Sequence, residues 1–156
     1  MRKLDVDPAL SQIAFDFFFY FSRFEFALKE NGYLNSQVAG AKAEPGWTMF
    51  VEQWNSRYQV SNEARLLLEY PPERQIVGER NGLTWKPVST IDCKSDLEKI
   101  VRLVKTVRNN LFHGGKHGSD YWDDPERNIR LLSSSMAILD QLAVLAAIEA
   151  DYKRYY

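Results

Sequence analysis

The segment Ser95-Asp96-Leu97-Glu98-Lys99-Ile100-Val101-Arg102-Leu103-Val104-Lys105-Thr106-Val107-Arg108-Asn109-Asn110-Leu111-Phe112-His113, followed by Gly114-Gly115, decides the fold class. Ser95 stands three residues before Glu98, the spacing of a capping box at a helix start. Ile100, Val104, Val107 and Leu111 recur every three or four residues, which lays them along one face of an α-helix. Lys99, Arg102, Lys105 and Arg108 advance every three residues and sweep a broad basic face. A glycine pair then ends the helix, because glycine takes up the left-handed conformation of a C-terminal cap without steric cost. The segment predicts a helix from about Ser95 to Phe112 or His113, with Gly114 or Gly115 as its cap.

The flanks repeat that grammar. Asp124-Pro125, an acidic cap followed by a proline at the first helical position, starts a last helix reaching about Tyr152. Ile129, Leu132, Met136, Leu139, Leu142 and Ala146 form its apolar stripe. Toward the N-terminus, residues 73–92 change character: Gln75-Ile76-Val77 and Leu83-Thr84-Trp85 flank Asn81-Gly82, a hairpin signal. Asn62 to Tyr70 reads as a short helix stopped by Pro71-Pro72. Trp47 to about Tyr58 reads as another, with Trp47, Phe50, Val51 and Trp54 at helical spacing, after a Gly- and Ala-rich loop over residues 32–46. Asp7-Pro8 opens the first helix and Asn31-Gly32 closes it near Lys29. Its apolar residues, among them Phe15, Phe17, Phe18, Phe19, Phe21, Phe24 and Phe26, surround nearly the whole helix. Such a helix is central to a core, or shared between the core and a subunit interface. The expected architecture is all-α: one domain over residues 1–156, an up-and-down bundle of about four to five helices with a small β-hairpin or irregular insertion around 73–92.

Composition sets limits on function. The chain has 156 residues, 45% apolar and 13% aromatic, enough to bury a core without disulfide or metal staples. Its net charge is −1 and its pI about 6.1, so any nucleic-acid site must rest on a local basic patch. Cys93 is the single cysteine, which excludes an intramolecular disulfide and suggests no structural zinc. No secretory signal is apparent. The aromatic run Phe17 to Phe21 is far short of the roughly 20 apolar residues of a membrane span. A soluble, cytoplasmic protein without a membrane partner is expected.

The chemistry concentrates at Arg108-Asn109-Asn110-Leu111-Phe112-His113. A guanidinium can hold a phosphate through paired hydrogen bonds, and an imidazole can move a proton near neutral pH. Together they can bind and cleave an RNA backbone with no metal or other cofactor. On an undisturbed helix, residues five apart point about 140° away from each other. Arg108 and His113 therefore converge only where the helix loosens at Gly114-Gly115, or across a two-fold dimer. Both residues also have a simpler reading, as cations that stabilise a helix C-terminus by about 0.3–1 kcal/mol. Lys116 and His117 in the following loop read equally well as solvated loop residues.

The Arg108-to-His113 stretch resembles the Arg-x4–6-His signature of HEPN domains, in which a polar residue, here Asn109, often follows the arginine. The setting is similar too, a junction between two long helices, and Ser22 to Lys29 resembles the opening helix of such domains. The resemblance implies a helical bundle that dimerises about a two-fold axis and a metal-independent endoribonuclease of a toxin–antitoxin, antiphage-defence or stress system. It implies that His113 is the acid or base in attack of an RNA 2′-hydroxyl on the adjacent phosphate, leaving a 2′,3′-cyclic phosphate. Arg108 would hold that phosphate and Asn109 would orient the reacting groups. Lys105, Arg102, Lys116, His117 and Asn110 would contact the RNA. An antitoxin or other defence-system protein would be a possible partner. HEPN toxins paired with a nucleotidyltransferase often carry a tyrosine two residues after the histidine; here Gly115 holds that position. The alternative is a non-catalytic HEPN-like module that binds or dimerises with a protein or RNA partner.

Overall fold

The computed structural model describes residues 7–113 and 124–153, with His113 described by its backbone alone. Among these residues the elements are α1 (Pro8–Glu30), α2 (Trp47–Trp54), α3 (Asn62–Glu69), β1 (Glu73–Val77), β2 (Leu83–Pro87), α4 (Asp96–His113), α5 (Pro125–Leu145) and α6 (Glu149–Lys153). The fold is mostly helical, with one two-stranded antiparallel sheet. No helix among the described residues is long and apolar enough to cross a membrane.

The helix starts follow the sequence signals. The Asp7 carboxylate accepts the Leu10 N–H at 2.9 Å, and the Asp124 carboxylate accepts the Arg127 N–H at 2.8 Å. Ser95 Oγ accepts the Glu98 N–H at 3.2 Å, while Glu98 Oε2 reaches past Ser95 to the Lys94 N–H at 2.7 Å. The capping box thus closes one residue further out than the standard pattern.

Three boundaries differ from expectation. Helix α2 stops at Trp54, a turn short of Tyr58, because the Asn55 amide donates to the Glu52 carbonyl at 3.1 Å and competes with helix continuation. The hairpin forms, but not around a two-residue Asn81-Gly82 turn. Val77 pairs with Leu83, leaving a five-residue loop closed by the Gly78 N–H on the Gly82 carbonyl at 2.7 Å. Inside it Arg80 and Asn81 both take positive φ, 53° and 61°. The last helix is two helices. Ala147 has φ 55°, its N–H bonds the Val144 carbonyl, and the Ile148 N–H reaches back to the Ala143 carbonyl at 3.0 Å. That is a Schellman stop with alanine where glycine is usual. Burial of Ile148 and Tyr152 beyond the break offsets the left-handed cost of about 1–2 kcal/mol.

The core runs between α1, α4 and α5. Phe17, Phe24, Phe50, Ile100, Leu103, Ile138 and Leu139 are fully buried. Trp47 stacks on Phe24 with ring centres 5.1 Å apart, while Phe50 and Tyr152 meet Phe24 edge-on. The buried stripe of α5 includes Leu131, Ile138 and Ala143, and it leaves Ile129 and Met136 half-buried. On α1 one stripe is core, but Phe15, Phe18 and Phe19 face outward, 41–62% exposed.

Candidate functional site

The four cations of α4 have separate fates. Lys99 pairs with Asp96 at 2.8 Å. Arg102 forms a two-pronged bond to Asp92 at 2.5 and 3.0 Å, donates to the Ser89 carbonyl, and lies 3.8 Å from Glu98. The guanidinium holds the Asp92 carboxyl below its ordinary range. These first two charges are therefore balanced locally. Lys105 and Arg108 make no ion pair among the described residues. The Lys105 ammonium sits 5.9 Å from the ring centre of Trp47. Trp47 is itself held by its indole N–H, which donates to Glu25 at 3.0 Å.

Arg108 rests on aromatic carbon. Its guanidinium lies 5.1 Å from the Phe112 ring centre and 5.5 Å from that of Phe21, and Nη1 donates to Asn109 Oδ1 at 3.0 Å. Phe112 packs against Phe18 at 5.1 Å between centres. Aromatic faces restrain a guanidinium without cancelling its charge, whereas a carboxylate would cancel it. Among the described residues the remaining N–H groups have no hydrogen-bond partner, and a guanidinium so placed can grip an anion in a forked geometry.

Asn109 is exposed beside Arg108. Asn110 points inward: it is buried, and its amide donates to the Glu73 carbonyl of β1 at 2.5 Å. That bond ties α4 to the hairpin, which is a structural task away from the basic surface. His113 is the last residue of α4; its side chain, together with Gly114, Gly115, Lys116, His117, Tyr121 and Trp122, lies outside the described residues. The approach of His113 to Arg108, and the RNA contacts expected of Lys116 and His117, therefore stand as expectations.

A groove of about 660 Å³ runs between α2 and α4 and is lined by Thr48, Asn55, Arg102, Lys105, Thr106 and Asn109 among others. Glu52 and Glu98 line it as well, and at its α4 end it reaches Asn109, the chain neighbour of Arg108. The chain matches no family model, no curated protein and no solved structure. Cys93 takes no part in this site, and burial pushes its thiol up, away from the reactive thiolate form.

Sequence reasoning missed the aromatic platform. Phe112 stands four residues after Arg108, a spacing at which helix side chains meet, so that contact was readable. The contribution of Phe18 and Phe21 was not, since it depends on how α1 crosses α4.

Proposed function

We propose that the chain is a metal-independent RNA endonuclease of the HEPN type, working in a toxin, defence or stress system. One observation carries the reading: of the four Lys and Arg residues on α4, Lys99 and Arg102 are paired with carboxylates, whereas among the described residues Lys105 and Arg108 are not. Arg108, restrained by Phe21 and Phe112 with its charge intact, would hold the scissile phosphate and stabilise its added charge in the transition state. Asn109 would orient the phosphate or ribose. His113 would take the proton from the 2′-hydroxyl or give one to the departing 5′-oxygen. The 2′-oxygen forms a bond to phosphorus as the bond to the 5′-oxygen breaks, leaving a 2′,3′-cyclic phosphate and a 5′-hydroxyl. Lys105 would neutralise a neighbouring phosphate in the α2–α4 groove.

A second copy completes this reading. Phe15, Phe18 and Phe19 on one face of α1, with Phe112 of α4, form an exposed aromatic patch that borders Arg108. Solvent-facing aromatic clusters of this kind mark interaction sites. A two-fold pair over this patch would bring two Arg108 side chains toward one cleft. The acidic chain, pI about 6.1, is equally compatible with the alternative of a binding module that does not cut. A cleavage assay on mixed cellular RNA in EDTA separates the two. The ribonuclease reading expects cleavage by the wild type and its loss in Arg108→Ala and His113→Ala, with both variants still folded in thermal melting. Undiminished activity in either variant contradicts the assigned roles; RNA retention without cleavage supports the binding module.

A further inference from the structure

On the side formed by α3 and α5 lies a second groove, of about 370 Å³, lined by Leu66, Leu67, Tyr70, Arg127, Arg130 and Leu131, with Ser134 at its edge. Its floor is the buried pair Leu67 and Leu131. Leu66 and Tyr70 form the α3 wall, 51% and 65% exposed although they are large and apolar or aromatic. Arg127 and Arg130 stand on the α5 wall, and neither is ion-paired among the described residues. Among the described residues no carboxylate lines the groove. Glu63, which joins the two helices, is engaged by Gln141 at 2.9 Å nearer the start of α3.

We propose that this groove docks an acidic amphipathic helix of another protein. The wall residues are spaced one helical turn apart on each side, Leu66 to Tyr70 and Arg127 to Arg130. A docked helix repeats at the same pitch of about 5.4 Å, so apolar and acidic side chains one turn apart on it meet Leu66, Tyr70 and both arginines in register. The two guanidinium groups, without an ion-pair partner among the described residues, select carboxylates and reject a basic helix. A small ligand fits less well. Such sites enclose about 70–90% of their ligand, whereas both residues of the α3 wall are more than half exposed. RNA fits less well because, of the two exposed residues of the α3 wall, only Tyr70 offers a stacking face. The proposal is independent of the ribonuclease reading, as Arg127 opens α5 and none of the six residues belongs to the Arg108 site.

The test uses the full chain and two synthetic helical peptides of equal length. One carries a leucine face flanked by glutamates; its twin has lysine at every glutamate. Binding is followed by peptide fluorescence anisotropy, with amide NMR locating the perturbed residues. The expected result is binding of the acidic peptide with shifts on α3 and α5, weakened at least tenfold in the surface variant Arg127→Glu/Arg130→Glu. In that variant the lysine twin gains affinity, which a merely unfolded protein would not show. Equal binding of both peptides, no binding of the acidic one, or shifts on these helices caused instead by a single-stranded RNA oligomer or by raising the protein concentration would overturn it.

Discussion

Arg108 is the residue on which the account turns, and its surroundings explain why it is suited to an anion. The rings of Phe21 and Phe112 restrain it and Asn109 orients it, while no described carboxylate neutralises it. Arg108→Ala is expected to lower RNA cleavage by about 10²–10³-fold, the cost of losing one preorganised donor to a developing oxyanion. The accompanying loss of stability, from two exposed-to-intermediate cation–π contacts, should stay near 1 kcal/mol. Parallel cleavage and denaturant-melting curves check both numbers. Asn110 should behave in the opposite way. Asn110→Ala strands the Glu73 carbonyl and is expected to cost about 1–3 kcal/mol of stability, read by the same melting curve, with cleavage retained wherever the variant is folded. The motif itself was legible in the sequence, but the division of labour inside it was not. Two adjacent asparagines look alike on paper, and only the angle of α4 against β1 turns one inward.

At the scale of elements, the starts of α1, α4 and α5 announced themselves through Asp7-Pro8, Ser95 and Asp124-Pro125, because capping is a local reaction between near neighbours, whereas α2 begins after Gly46 with no side-chain cap. Two helix ends were less legible. The α5 stop at Ala146-Ala147-Ile148 contains neither glycine nor asparagine, and what holds it is the burial of Ile148 and Tyr152, a tertiary effect. Ala147→Gly should therefore stabilise the protein by about 0.5–1 kcal/mol, since glycine takes φ 55° without the clash of a Cβ. A rise in the denaturation midpoint checks it; a fall would mean that the break is not a left-handed stop. Gly46 makes the opposite case. A Cβ there would lie 2.7 Å from the Leu34 backbone nitrogen, so Gly46→Ala should destabilise by about 1–3 kcal/mol, measured the same way.

Over the whole molecule, a helical fold could be read from apolar periodicity, but which face of α1 stays uncovered could not, since phenylalanines ring that helix. The structure sorts them, burying Phe17, Phe21 and Phe24 and leaving Phe15, Phe18 and Phe19 outside. Phe18→Asp is expected to leave the fold intact and convert a dimer to a monomer in sedimentation velocity; an unchanged mass would remove this patch from the assembly. The molecule should also lose stability in alkali. Burial, aided by the Asp96 charge, pushes the Tyr58 hydroxyl up to about 12, and burial raises Tyr152 as well. Between the unfolded value of about 10 and the folded one, the unfolded chain has released a proton that the folded chain keeps, so stability falls as pH rises through that window. A pH series of thermal melts from 8 to 12 checks the sign. The central claim is chemical, and the most direct measurement is mass analysis of the RNA ends produced in EDTA by the wild type and by His113→Ala. The account predicts 2′,3′-cyclic phosphate and 5′-hydroxyl ends from the wild type, and a loss of about 10²–10⁴-fold in the variant. Products with 5′-phosphate ends, or equal cleavage by His113→Ala, would contradict it.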